Sequence, residues 1–328
     1  MTTNNTNHQV VSSRPTRERV GLIVDGANAA AAINTIVAAE DAGVRQIWMT
    51  QPPNLSDVLT IFAAAASKTS SVNLGTSIVP TYPRHPLVLA QQALALHDIA
   101  PGRLRLGIGP SHRFIIENMY GLQHSKPLAH LREYVDVLRT ALWNGKVSHH
   151  GGFYNVEAAL VRTAQIPVLI STLGKMAFQL AGQIADGALT WVYPIPYLLH
   201  TAIPALHSSA AAIGRSVPPL VAHVPVALSE DRDSVLSAGH RYLDFYAKIS
   251  FYANMFSNAG FQITSDQMVP DDLIDNLVIS GNETTIAARL NELLGMDIDE
   301  LMVSLVPSTG TDEDEQQLAQ LMHLIGQL

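Results

Sequence analysis

Hydrophobic residues in this chain occur in short and long runs that alternate from about residue 19 onward. The short apolar runs, such as residues 20–24 and 46–49, predict buried strands. The long runs, such as residues 29–42, are rich in Ala and Leu and have the period of a helix. Buried strands that alternate with helices are typical of a parallel sheet with crossover helices, so the pattern predicts an α/β fold.

The alternation repeats eight times, which predicts a closed (β/α)8 barrel, the TIM barrel fold. The polar stretch HHGGFYNV predicts a small hairpin inside this series. Residues 229–281 are helical and rich in aromatic residues, and we interpret them as a helical insertion near the C-terminal end. The predicted strands are residues 20–24, 46–49, 72–79, 103–109, 166–171, 187–192, 220–228 and 300–305. The predicted helices are residues 29–42, 57–67, 86–100, 127–143, 175–185, 195–213, 284–294 and 313–327.

The main alternative fold is an open, doubly wound sheet that binds a dinucleotide. Such a sheet needs the motif G-x-G-x-x-G directly after its first strand, where this chain has VDGANAA. A lone G-x-G, Gly107-Ile108-Gly109, follows the fourth predicted strand and has low specificity. The barrel is therefore the preferred interpretation, with residues 1–18 as a flexible tail and residues 19–328 as a single domain.

The composition and net charge indicate which classes of partner and which cellular location to expect for the protein. Hydrophobic residues make up 47% of the 328 residues and charged residues 15%, which predicts a globular chain with a sizeable core. The net charge of −8 argues against nucleic acid as a partner. No apolar run is long enough to cross a membrane, and residues 1–19 lack the apolar segment of a signal peptide. We expect a soluble, cytoplasmic protein with no membrane partner.

The chain contains no cysteine, which excludes disulfides, thiolate-bound metals and thiol nucleophiles. Active sites of (β/α)8 barrels lie at the C-terminal ends of the strands. Those ends carry few ionisable groups and no convincing set of metal ligands, so redox chemistry would need an organic cofactor. The residues predicted at these ends are Asp25, Thr50, Gln51, Ser77, Ile78, Gly109, Pro110, Ser111, His112, residues 171–175, Trp191, Val192 and Tyr193.

Two positions at the strand ends carry candidate chemistry. Thr172, Leu173 and Gly174 precede a predicted helix, where free N–H groups and the helix dipole can bind a phosphate and Lys175 can add charge. The same residues are equally consistent with a plain strand-to-helix turn and a solvated lysine. His112 can exchange a proton near neutral pH, although a single loop histidine is more commonly structural or solvent-exposed.

Several segments together resemble the luciferase-like monooxygenase family, whose members are (β/α)8 barrels that use FMN or coenzyme F420. The resemblance spans residues 20–328 and is strongest in NLGTSIVPTYPRHPLVLAQQALALHDIAPGRLRLGIGPSHR. Further support comes from HHGGFYNV, IPVLISTLGKMAFQLAGQIADGAL and GNETTIAARLNELLGMDIDEL.

The resemblance implies roles for particular residues. In F420-using relatives a non-prolyl cis peptide follows the third strand behind the deazaflavin, and Ser77-Ile78 matches it. The segment 172–175 matches the loop that binds the cofactor phosphate. His112 falls where some F420-dependent sugar-phosphate dehydrogenases carry a glutamate thought to act in proton transfer, so it is the candidate catalytic residue. The predicted cofactor-binding residues are Thr50, Ser77, Ile78, Gly109, Thr172, Leu173, Gly174, Lys175 and Trp191.

The chain also departs from those dehydrogenases. Thr50-Gln51 stands where they carry an Asp-His pair near the deazaflavin, so the substrate and the proton route are expected to differ. Leu173 and Lys175 replace a glycine and a proline in the phosphate loop.

The resemblance implies an F420-dependent oxidoreductase that transfers a hydride between the deazaflavin and a small organic substrate. Two alternatives stay open, namely an FMN-dependent monooxygenase and a non-catalytic or structural barrel. Because relatives commonly form dimers, a homodimer is expected.

Overall fold

Eight parallel strands close into a barrel in the computed structural model, which describes residues 13–263, 266, 268–307 and 312–328. The order around the barrel is β10, β12, β1, β2, β3, β5, β8 and β9, and pairing of β9 with β10 closes the circle. The predicted TIM barrel is therefore confirmed. The strands are β1 Val20–Ile23, β2 Gln46–Met49, β3 Asn73–Thr76, β4 Val79–Pro80, β5 Leu104–Gly109, β6 Lys146–His150, β7 Asn155–Ala159, β8 Val168–Ser171, β9 Ala188–Leu189, β10 Leu220–Ala227, β11 Ile279–Ser280 and β12 Glu300–Leu305.

Helices surround the barrel, and β6 and β7 form the predicted antiparallel hairpin. The described residues of the segment between β10 and β12 contain three helices, then β11 and then a fourth helix. Two short stretches, Ile115–Met119 and Leu198–Ala202, are π-helical. The α-helices are Thr16–Arg19, Ala29–Asp41, Val58–Ala66, Pro86–Ile99, Pro127–Asn144, Lys175–Ile184, Ile195–Tyr197, Ile203–Ala212, Arg232–Ala247, Ser250–Asn258, Asp271–Leu277, Glu283–Leu294 and Asp312–Gln327.

Three predicted elements differ from the observed ones near the C-terminal end of the barrel. The third strand, predicted as continuous, is interrupted by a non-prolyl cis peptide between Ser77 and Ile78, and its second part is β4. The sixth strand is shorter than predicted and ends at Leu189, and Val192, its predicted last residue, has a φ of 48° that a strand does not allow. The helix predicted at residues 195–213 is divided by the π-helical stretch.

Trp48 fills the centre of the barrel. It is 1% exposed, and a Cβ added to Gly21 or Gly75 would come within 2.7 Å or 2.3 Å of its indole ring. The two glycines therefore leave the room that the indole occupies, and the guanidinium of Arg105 lies 5.0 Å from the ring centroid. A large side chain at this depth closes the barrel below the C-terminal ends of its strands.

The two glycines of the G-x-G sequence are explained by strand packing. A Cβ on Gly107 would lie 1.9 Å from the carbonyl oxygen of Thr76, and a Cβ on Gly109 would lie 2.1 Å from Oγ of Ser171. The Thr76 hydroxyl also donates to the carbonyl oxygen of Gly107 at 2.7 Å. These glycines allow β5 to approach its neighbours closely.

Residues of the predicted N-terminal tail contact the opposite end of the barrel. Arg14 donates to the Glu300 carboxylate at 2.8 Å, and the buried carboxylate also accepts from Gln46 at 2.9 Å and from Arg105. Burial alone would raise the pKa of Glu300, but Arg105, Arg14 and Gln46 outweigh burial and hold that pKa below its usual value. Residues 1–12 of the predicted tail lie outside the described residues.

Candidate active site

Two joined cavities open at the C-terminal ends of the barrel strands. We call the cavity of about 270 Å³ the inner chamber and that of about 1040 Å³ the outer chamber. Both are lined by Ser111, His112, Ser171, Leu173 and Phe245, so the two chambers adjoin each other. The inner chamber is also lined by Thr50, Gln51, Pro52, Ser77, Ile78, Pro80, Ile115, Leu189, Thr190, Trp191, Tyr246 and Tyr252.

Most of the predicted site residues meet around these chambers. Thr50, Ser77, Ile78 and Trp191 line the inner chamber. Gly174 and Lys175 line the outer chamber, whereas Leu173 and His112 line both. These residues were predicted because they follow barrel strands, and they lie close together in the fold although they are far apart in the sequence.

Gly109 and Thr172 are the predicted site residues that line neither chamber. The Thr172 backbone N–H and its hydroxyl both donate to the carbonyl oxygen of Leu189, each at 2.9 Å. Gly109 packs against Ser171, and its carbonyl oxygen accepts from the Thr81 N–H at 2.9 Å. Both residues hold neighbouring strands together.

The helix that begins at Lys175 points its N-terminus at the outer chamber. Gly174 precedes it with a φ of 81°, and its N–H donates to the Tyr193 hydroxyl at 2.9 Å. The Tyr193 hydroxyl in turn donates to the carbonyl oxygen of Thr172 at 2.9 Å, and the Tyr197 hydroxyl contacts the N–H of Lys175. Since these two N–H groups have partners, an anion here would be held mainly by the helix dipole and the exposed Lys175 side chain.

Further positive charge lies around the outer chamber. Lys248, from the helical segment between β10 and β12, lines it and is exposed. Arg113 also lines it and pairs with Glu117 at 3.3 Å. The sequence analysis missed Lys248, because nothing in its local pattern places it above the barrel.

His112 lies where the chambers join. Its carbonyl oxygen accepts from the N–H groups of Ile115 and Ile116, each at 3.0 Å, and its ring centroid lies 5.7 Å from that of Tyr252. Burial, and next the nearby His124, lower the pKa of His112 to about 4. The ring is therefore neutral at pH 7 and is able to accept a proton.

A hydrogen-bonded group of side chains borders the inner chamber. The indole ring of Trp191 stacks on His223 with centroids 3.8 Å apart, and its N–H donates to the Tyr246 hydroxyl at 2.6 Å. Nδ1 of His223 accepts from the Val192 N–H at 3.3 Å, so Nε2 carries the hydrogen and donates to Ser304 at 2.9 Å. Burial lowers the pKa of His223 to about 3, which keeps this ring neutral.

The aromatic residues predicted in the insertion divide between two roles. Phe256 is buried and lines neither chamber, whereas Tyr252 is buried and also lines the inner chamber. Phe245 is 53% exposed and lines both chambers, and Tyr246 and Phe251 line one chamber each. The aromatic residues of the insertion therefore contribute both to the core and to the chamber walls.

Within the described ranges no group of three or more His, Cys, Asp or Glu side chains is arranged to hold a metal ion. No helix of the described chain is long and apolar enough to span a bilayer.

The fold and the site agree with the family that the sequence resembles. The model of the luciferase-like monooxygenase family matches residues 9–299, and the chain belongs to this family. The family prediction is therefore confirmed.

Individual relatives share about a quarter of their residues with this chain. It is 26% identical to a putative coenzyme F420-dependent oxidoreductase of Mycobacterium tuberculosis, over 88% of this chain and 93% of the relative. It is 25% identical to 5,10-methylenetetrahydromethanopterin reductase of Methanopyrus kandleri, over 82% and 86%. The structure of an F420-dependent secondary alcohol dehydrogenase with an F420-acetone adduct is similar in fold, with a TM-score of 0.77, 18% identity and coverage of 94% and 98%.

Proposed function

We propose that this chain is an F420-dependent oxidoreductase that transfers a hydride between the deazaflavin and a small organic substrate. The observation that carries the proposal is the pair of joined chambers, one mainly uncharged and one bordered by cations. The naming of relatives as F420-dependent supports the same cofactor. Bound F420 would supply the centre that accepts or donates the hydride.

The described residues suit the two parts of such a cofactor. Ser77, Ile78 and Trp191 border the inner chamber, which is suited to an uncharged ring. Lys175 and Lys248 border the outer chamber, whose volume of about 1040 Å³ exceeds what a single phosphate requires. A long anionic tail such as that of F420 uses this space better than the shorter tail of FMN.

His112 is proposed as the group that accepts the substrate proton. It lies at the junction of the chambers and is neutral at pH 7, since its pKa is about 4. A neutral imidazole within reach of a substrate hydroxyl can take its proton while the neighbouring carbon loses a hydride. Holding the substrate and cofactor together in a partly closed chamber would supply much of the remaining acceleration.

The helices of the insertion contribute Phe245, Tyr246 and Lys248 to the chambers. This contribution supports the proposal that residues 19–328 act as one domain, with residues 229–281 as part of its active site. The homodimer and the cytoplasmic location stay predictions from the sequence.

Reversing the charge of Lys175 tests the proposed binding of the anionic tail. We expect Lys175→Glu to raise the Kd for F420 about tenfold or more, because a hydrogen bond to a charged group contributes roughly 1.5–3 kcal/mol. The difference from the unmodified chain should shrink as salt is added. Kd is measured by quenching of F420 fluorescence. Lys68→Glu is the matched control, since Lys68 is exposed and lines neither chamber. Equal Kd values for the two variants would contradict this assignment.

A further inference from the structure

The inner chamber contains no formally charged side chain at neutral pH. None of the described residues that line it is Asp, Glu, Lys or Arg, and the His112 ring is neutral. An anionic group that entered this chamber would lose water and gain no opposite charge, which is costly. Lys175, Lys248 and Arg113 line only the outer chamber. The inner chamber therefore favours an uncharged ligand.

One polar hydrogen in the inner chamber has a defined position. The indole N–H of Trp191 can only donate, so the oxygen of Tyr246 must accept in their hydrogen bond of 2.6 Å. Tyr246 lines the inner chamber, and its own hydroxyl hydrogen has no acceptor among the described residues. This hydrogen is available to an oxygen atom of a ligand.

The surroundings of Tyr246 hold its hydroxyl group in place. Its ring packs edge-on against Tyr252, with centroids 5.0 Å apart. Trp191, which fixes the hydroxyl oxygen, is itself held by stacking on His223. Burial raises the pKa of Tyr246, so the hydroxyl keeps its proton at neutral pH. A donor fixed in advance binds a substrate oxygen without further ordering.

We infer that the inner chamber selects an uncharged substrate with a hydroxyl or carbonyl oxygen on an apolar skeleton, and that Tyr246 determines this specificity by donating a hydrogen bond to that oxygen. The inference rests on the proposed function, because it places the reacting carbon in the part of the inner chamber that the bound deazaflavin ring leaves free, next to the hydride centre.

In the oxidation of an alcohol, His112 and Tyr246 have separate roles. Bound F420 would supply the acceptor for the hydride of the substrate carbon, and a ring nitrogen of His112 would take the hydroxyl proton as the C=O bond forms. Tyr246 keeps its own proton throughout and holds the oxygen. Reduction of the carbonyl compound is the reverse of this step.

The test compares two ligands of similar size with the chain saturated with oxidised F420. Cyclohexanone and cyclohexanecarboxylate are titrated by calorimetry, and neither is turned over because the ketone is already oxidised. We expect the ketone to bind at least about tenfold more tightly than the carboxylate. Tyr246→Phe should weaken ketone binding about threefold to tenfold, the usual effect of losing one neutral hydrogen bond. Tyr154→Phe is the control, since its hydroxyl bonds to His130 at 2.8 Å and lines neither chamber.

A vibrational measurement separates a direct hydrogen bond from a change in folding. The carbonyl stretching frequency of bound, isotope-labelled cyclohexanone should fall in the unmodified chain and in Tyr154→Phe, and should recover in Tyr246→Phe. If F420 itself fails to bind, the proposed function is wrong. If F420 binds but the carboxylate binds as well as the ketone, if the ketone does not bind, or if Tyr246→Phe changes neither affinity nor frequency, the inference is wrong.

Discussion

Replacing His112 with alanine is expected to lower kcat for substrate oxidation by about a hundredfold or more. A positioned general base typically contributes 10²–10⁴-fold, and His112 is the group at the junction of the chambers that we assign to this role. The Kd for F420 should stay within about threefold, because Lys175 and Lys248, which we assign to the anionic tail, are unchanged. Steady-state kinetics and a fluorescence titration give the two quantities separately.

The pH profile gives the same assignment an independent check. A base with a pKa of about 4 is active above that value and loses activity as the pH falls through it. We therefore expect kcat/KM to change little between pH 7 and pH 5 through this group.

His150→Ala is the control for the His112→Ala variant, because His150 is exposed on the hairpin. Similar kcat values for His112→Ala and His150→Ala would show that His112 is not the base.

Replacing Gly107 with alanine is expected to destabilise the barrel by about 3 kcal/mol or more, at or above the upper end of what overpacking usually costs. The added Cβ would lie 1.9 Å from a backbone oxygen, that of Thr76, which cannot move away as a flexible side chain can. The free energy of unfolding is measured by chemical denaturation. At Gly152 the same change meets its nearest atom at 3.8 Å and should alter stability by less than about 0.5 kcal/mol. An equally small effect at Gly107 would contradict the packing explanation.

The barrel strands could be predicted from the sequence because they are short runs rich in apolar residues. The second and eighth predicted strands agree with β2 and β12 in their bounds, and the fourth differs from β5 by one residue. The local sequence pattern does not indicate a cis peptide at Ser77-Ile78. The interruption of the third strand there could be anticipated from the family resemblance alone. The early end of the sixth strand could not be anticipated. Val192, the predicted last residue of this strand, has a left-handed conformation that is unusual for a β-branched residue.

The sequence could predict those site residues whose position follows from the order of the strands. Thr50, Ser77 and Trp191 are far apart in sequence, yet all follow strand ends and so meet in the inner chamber. Contacts made across the barrel mouth were not predictable. The contacts of the Tyr193 and Tyr197 hydroxyl groups with Gly174 and Lys175, and that of Tyr246 with Trp191, depend on tertiary packing that single-sequence patterns do not contain.

We expect the joined chambers to bind F420 in preference to FMN. The most direct measurement is a titration of the purified apoprotein with each cofactor, followed by quenching of cofactor fluorescence. F420 should bind saturably, and the Kd for FMN should be at least about tenfold higher. Preferential binding of FMN would contradict this expectation and favour the monooxygenase alternative, and binding of neither cofactor would favour a non-catalytic barrel.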